Sequence, residues 1–269
     1  MKFALVIPTR GDRPQFIKQC KYLISRQTVQ PTEVLWIDYK PESPSKKDIT
    51  QRYRRGVEAA SKKGYEFVVF WEDDDWYHPE YLEWLIKSWK FNKKPTFFGV
   101  GETYYYNHLN GAAHHMGHNG RTSAFCTLVK LPWSIPWPSD NYSFLDMHIA
   151  KHCKPVTINY DKKIYAVGIK HGFGLTGGGG HNPRFKFNMP NSREWFYNVV
   201  GEDRNFYDKT IKPGNPKPKI KPKRPVSNSK PLNSQVIVKN DKPKRRVIAN
   251  NSSTQQPARR TVVRRLRKR

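Results

Sequence analysis

The chain has 269 residues, with 49 Lys and Arg against 22 Asp and Glu, a formal charge of +27. That length fits one or two domains. Mean hydropathy is −0.82, and no apolar run is longer than Phe67 to Trp71, far short of the roughly 20 residues a spanning helix needs, which excludes an integral membrane protein. The opening run Phe3–Pro8 is too short for a secretory signal. Three widely spaced cysteines, Cys20, Cys126 and Cys153, fit neither a disulfide framework nor a four-thiolate zinc site. The expected setting is reducing and cytoplasmic, with a peripheral position at a membrane surface as a further option.

Phe3-Ala-Leu-Val-Ile-Pro8 reads as a buried strand closed by proline. Asp12 is expected to cap a helix with Pro14 in its first turn, and Phe16, Cys20, Leu23 and Ile24 share one face of that helix. Glu33–Asp38 gives a second buried strand that ends in an acid. Asp48 is the expected cap of a second helix, with Ile49, Tyr53, Val57 and Ala60 on one side and Gly64 beyond its end. Glu66–Trp71 is a third buried strand, and the run Glu72-Asp73-Asp74-Asp75 follows it. A third helix begins near Pro79, with Leu82, Leu85, Ile86 and Trp89 on one face. Short all-apolar strands alternating with helices predict an α/β fold with a mostly parallel sheet and flanking helices. Ligands of such sheets bind at the carboxyl ends of the strands. The polar residues there are Thr9–Asp12, Asp38 and Glu72–Asp75.

The charge is unevenly divided. Lys209–Arg269 holds 20 Lys and Arg against one acid, Asp241, a net of +19, while residues 1–208 hold 29 basic and 21 acidic residues, a net of +8. Tyr207 is the last aromatic residue. A segment without aromatics buries too little apolar surface to offset its ordering entropy. The expectation is therefore a folded domain over residues 1–208 and a disordered basic tail over 209–269. The tail suits nucleic acid, an anionic membrane or an acidic polymer.

Four successive acids at the end of a buried strand repel one another unless something neutralises them. Carboxylates suit hard cations such as Mg²⁺ or Mn²⁺. The plainer alternative is a solvated acidic turn favoured by the dipole of the following helix. A second alternative, from a different class, is a nucleic-acid-binding protein that uses the tail, with the α/β domain as a scaffold.

The segments Phe3-Ala-Leu-Val-Ile-Pro-Thr-Arg-Gly-Asp-Arg13, Val34-Leu-Trp-Ile-Asp38 and Phe67-Val-Val-Phe-Trp-Glu-Asp-Asp-Asp-Trp-Tyr-His-Pro79, in this order and spacing, resemble the family 2 glycosyltransferases of the GT-A fold. The resemblance is clear over about residues 3–90 and weaker to about 180. It implies a GT-A-type Rossmann-like sheet, a nucleotide-sugar donor (UDP- or GDP-sugar), a divalent metal, Mn²⁺ or Mg²⁺, and sugar transfer with inversion in one displacement. By the same resemblance Pro8, Thr9 and Arg10 lie at the nucleobase, Asp38 meets base or ribose, and Asp73 is the ribose-side acid. Asp74 and Glu72 hold the metal, and His171 at the start of a Gly-rich run, residues 171–181, adds a metal or diphosphate contact. That run is expected to act as a lid. The chain departs from the family at Tyr39-Lys40-Pro41, where a second acid, a glycine and a serine are usual.

The second half resembles the acceptor side. Gly120–Val129 is similar to the family's acceptor strand, and Phe144–Ile149 to the short acidic motif that supplies the base, with Leu145 replacing its first acid. Asp146 is the expected base for the acceptor hydroxyl, with Asp140 as the fallback. Glycan, lipid-linked and protein acceptors are all open. His114, His115 and His118 are expected at the surface or in the acceptor cleft.

Overall fold

The computed structural model describes residues 1–43, 46–172 and 189–211. The chain begins with β1 (Phe3–Pro8), α1 (Pro14–Ser25), β2 (Glu33–Ile37), α2 (Ile49–Lys62) and β3 (Phe67–Phe70). The first strand pairs in parallel with both others, Leu5 lying opposite Val34 on one side and Val69 on the other. A strand flanked on both edges and covered on both faces must be apolar throughout. Here Phe3, Leu5 and Ile7 join the core formed with Phe16, Cys20 and Leu23 of α1, whereas Ala4 and Val6 join Tyr53, Val57 and Ala60 of α2. The α2 helix sits so close to β1 that a Cβ added to Gly56 would lie 2.3 Å from Val6 Cγ1.

After β3 the chain forms β4 (Trp76–Tyr77), α3 (Tyr81–Phe91), β5 (Phe97–Val100), β6 (Glu102–Asn107), β7 (Ala112–Gly117), β8 (Thr127–Lys130), α4 (Leu145–His152), β9 (Val156–Ile158), β10 (Ala166–Lys170), α5 (Ser192–Val200) and α6 (Arg204–Thr210). The main sheet has the order β2-β1-β3-β8-β5-β9. Its β2–β1, β1–β3 and β5–β9 pairs are parallel, and β8 runs antiparallel to both of its neighbours. The architecture is thus α/β with a mostly parallel sheet and flanking helices. A smaller sheet has the order β4-β10-β6-β7.

Several local expectations are corrected. The α1 cap position is Arg13, without a side-chain cap bond, and Pro14 is the first helical residue; Asp12 lies outside the helix and is exposed. Asp48 does stand at the cap position of α2, but its carboxylate binds Arg10 and Arg52 instead of the helix amides. Of the expected acceptor strand only residues 127–129 are strand, as the start of β8 (Thr127–Lys130); Ala124–Cys126 is a short 3-10 turn. His114 and His118 are buried, and only His115 is exposed, paired with Glu102. Alternation along β7 separates His114 from His115, and His118 turns inward to Thr103, 2.6 Å away.

Residue 208, the expected boundary, lies within α6, where Tyr207 is buried, as is Ile211 just past the helix end. Asp203, just before that helix, accepts hydrogen bonds from both terminal nitrogens of Arg26 and from Trp76 Nε1 at 2.8 Å. The last described segment is thereby tied to α1 and to β4. The basic tail beyond Ile211 lies outside the described residues. No helix among the described residues is long and apolar enough to cross a membrane.

Candidate functional site

The acidic run emerges from β3, whose four residues are all buried. Tyr77 fixes both sides of the turn: its hydroxyl accepts from the Glu72 N–H at 2.9 Å and donates to the Phe125 carbonyl at 3.1 Å. Since β4 pairs with β10, the four acids are held between two sheets. Each carboxylate then meets a different partner. Asp73, buried, accepts from Thr9 Oγ1 at 2.6 Å and from Arg13 Nη2 at 2.6 Å. Asp74 Oδ2 accepts from Arg13 Nη1 at 2.5 Å and lies 2.7 Å from His171 Nε2. Asp75 Oδ1 accepts from the Ile169 N–H at 2.7 Å, while its buried Oδ2 has no hydrogen-bond partner among the described residues. Glu72 Oε1 faces the Tyr53 hydroxyl at 3.4 Å.

Burial and mutual repulsion govern the ionisation of this group. Burial, reinforced by Asp74, pushes Glu72 up to about 7 against the opposing pull of Lys170. Burial and Asp74 likewise raise Asp73 to about 6, with Arg13 and the Thr9 hydroxyl pulling it down. Asp75 is raised well above the carboxylate range by burial, against Lys170. Asp74 is the exception: burial would raise it, yet Arg13 and His171 hold it well below the usual range. Three of the four acids are therefore costly to keep ionised with the two cations that act on them, Arg13 and Lys170.

Oxygen atoms of Glu72, Asp74 and Asp75 lie within 4.8 Å of one another. An all-carboxylate set suits a hard divalent cation, and the unpartnered buried oxygen of Asp75 is a second sign that positive charge belongs here. The residues present fit such an ion. Sequence reasoning pointed to Glu72 and Asp74 but passed over Asp75. His171 is brought to Asp74, at 2.7 Å, and is not one of the three converging groups. Residues 173–188, and with them most of the expected lid, lie outside the described residues.

The ends of β1 and β2 meet beside these acids. Pro8 closes β1, and buried Thr9 reaches Asp73. Arg10 turns to Asp48 at 3.0 Å and to the Lys46 carbonyl. Asp38 is exposed just past β2, and a Cβ added to Gly11 would come within 4.0 Å of its carbonyl. Arg52, 1% exposed, joins the two strand ends: it donates to the carbonyls of Thr9, Ile37 and Tyr39 and to Asp48. Tyr39 lies under its guanidinium at 4.0 Å, with Arg55 at 4.1 Å.

In the region expected to receive the acceptor, Asp146 lies in the first turn of α4 and pairs with Arg121 at 3.1 Å. Burial raises its carboxyl, opposed by Arg121. Asp140 is tied to α2 through Arg54 at 2.7 Å and Gln51 at 3.1 Å. Trp133 and Trp137 stack on each other at 3.8 Å and, partly buried, pack against the core.

Arg13, Asp75, Lys170 and Arg52 were not singled out by sequence reasoning. Arg13 did carry a signal, because a cation at a helix N-terminus opposes the helix dipole and needs a compensating anion. Lys170 carried a weaker one, a lysine ending the apolar run Ala166–Ile169.

No family model matches the chain, and no curated relative does. Among solved structures, a crystal structure of S. aureus TarS aligns with a TM-score of 0.40 and 13% identity, over 64% of this chain and 37% of TarS. A197 from STIV aligns with a TM-score of 0.32 and 13% identity, over 48% of this chain and 65% of A197. TarS 1–349 in complex with UDP aligns with a TM-score of 0.25 and 17% identity, covering 40% and 35% of the two chains. The chain spans less than two thirds of the length of each. Likenesses this distant carry no functional argument, which rests on the site itself.

Proposed function

We propose that the protein is an inverting, metal-dependent glycosyltransferase that moves a sugar from a nucleotide-sugar donor to a hydroxyl acceptor. The observation that carries this reading is the convergence of Glu72, Asp74 and Asp75 within 4.8 Å at the carboxyl end of β3, beside the Thr9–Arg13 loop that ends β1. The family 2 resemblance of the three strand-end motifs supports it. Glu72, Asp74 and Asp75 would hold Mn²⁺ or Mg²⁺, and such an ion supplies neutralisation of charge on a leaving nucleoside diphosphate. Pro8, Thr9, Arg10 and Asp38 would line the base and ribose side, with Asp73 held by Thr9 and Arg13. Asp146 would take the proton of the acceptor hydroxyl, and its raised carboxyl strengthens it as a base.

The test is calorimetric titration with UDP- and GDP-sugars, with and without Mn²⁺, on the wild type and Asp74→Asn. Metal-dependent binding of one donor that Asp74→Asn abolishes is expected. Binding of no donor, or binding indifferent to that substitution, would refute the proposal.

The +19 net charge of residues 209–269 favours a second reading, nucleic-acid binding by the tail with the α/β domain as scaffold. That reading requires salt-sensitive binding to DNA or RNA that is lost on deleting 209–269 and unaffected by Asp74→Asn.

A further inference from the structure

Arg13 occupies an unusual position for a residue beside a cation site. Its two terminal nitrogens divide between neighbouring acids, Nη2 on Asp73 at 2.6 Å and Nη1 on Asp74 at 2.5 Å. Asp74 is also one of the three carboxylates that converge for a metal. The guanidinium is a planar fork that keeps its charge at any working pH. Here it is only 16% exposed at the side chain, its backbone stands at the cap of α1 just before Pro14, and it lies 5.7 Å from the Phe16 ring centroid. Withdrawing it would strand the buried carboxylate of Asp73 and leave the partly buried Asp74 with His171 alone. A fixed positive charge thus contacts a ligand that a divalent cation would need.

We propose that Arg13 is a built-in counter-cation that weakens divalent metal binding to the empty protein and makes it depend on a nucleoside diphosphate. This rests on the metal-site reading above. With Arg13 in place, a lone divalent ion meets repulsion from a cation that already occupies the Asp74 carboxylate. A diphosphate brings negative charge that offsets both cations, so metal and nucleotide each tighten the other by the same factor. Arg13 acts through Asp74 and is a charge-setting and positioning residue. The lysine that preserves the charge should preserve the coupling even though it loses the fork.

The experiment follows Mn²⁺ binding by the loss of the free-ion electron paramagnetic resonance signal, with and without UDP as the probe. It uses the full-length wild type, Arg13→Met, Arg13→Lys and Asp74→Asn. In the wild type, UDP is expected to tighten Mn²⁺ at least tenfold. Arg13→Met should bind Mn²⁺ alone at least tenfold more tightly than the wild type, and UDP should then add less than about threefold. Arg13→Lys should stay within about threefold of the wild type in both conditions. A folded Arg13→Met whose Mn²⁺ affinity is equal to or weaker than that of the wild type overturns the inference. If that variant does not fold, the wild type decides, because no tightening by UDP overturns it as well. Mn²⁺ binding that requires Asp74 but ignores Arg13 overturns this inference alone, whereas binding that is absent or indifferent to Asp74→Asn also removes the metal-site reading.

Discussion

Arg52 is the buried residue on which the ends of β1 and β2 depend, and replacing it with methionine isolates its polar contribution. Methionine keeps the apolar stem and deletes five hydrogen bonds: one each to the carbonyls of Thr9, Ile37 and Tyr39, and two to Asp48 Oδ2. Breaking a buried ion pair by removing one partner costs about 3–5 kcal/mol, and each stranded buried acceptor adds about 1 kcal/mol unless water reaches it. Arg10 still reaches Asp48 at 3.0 Å, which tempers the first figure. The expected loss is about 4–6 kcal/mol, a large share of the roughly 5–15 kcal/mol that holds a domain together. Urea unfolding of the wild type, Arg52→Met, Asp48→Asn and the double variant measures it. The double variant should fall short of the sum of the single losses by about 2 kcal/mol, because both substitutions break the same contact. A single-variant loss below about 1 kcal/mol, or strict additivity, would refute this account of Arg52.

His118 should make stability depend on pH. Burial, helped by Arg121 and His115, lowers its pKa to about 4, against about 6.5 in the unfolded chain. The unfolded state therefore binds the extra proton between these values. Stability is full above pH 6.5 and falls towards pH 4 by up to about 3 kcal/mol, and urea midpoints that decline equally in His118→Gln would contradict this. Gly56→Ala should destabilise by about 1–3 kcal/mol through overpacking against Val6, despite the better helix propensity of alanine; an unchanged or raised melting temperature would show that α2 shifts freely. A chain ending at Ile211 should melt cooperatively at the temperature of the full chain. One ending at Glu202 loses the Asp203 bonds and the burial of Tyr207 and Ile211, about 5 kcal/mol in all, and should show no cooperative transition by circular dichroism.

The first half of the fold was legible because β1 and β3 are buried on both faces and so are apolar without interruption, while α1, α2 and α3 repeat their apolar residues at helical spacing; β2, expected to be buried, is an edge strand and buries only Leu35. The second half was not. Its strand β8 has only four residues, Thr127–Lys130, and runs antiparallel between β3 and β5, a reversal that no local pattern announces. The β6–β7 pair mixes tyrosines and histidines, whose amphipathic rings serve equally in a core or at a surface. At the site, a run of four acids marked the place but not the division of labour. Asp73 turns to Thr9, Asp74 to Arg13 and Asp75 to the Ile169 amide because the turn points them in different directions, and those partners lie 64, 61 and 94 residues away in sequence.

The anchoring of Asp203 has a consequence for biosynthesis. Its partners Trp76 and Arg26 precede it by 127 and 177 residues. At about 5–20 residues per second, they wait roughly 6–35 s on the ribosome for Asp203 to be made. Throughout that time the indole beside the acidic turn lacks its acceptor, and the surface that α6 will cover is bare.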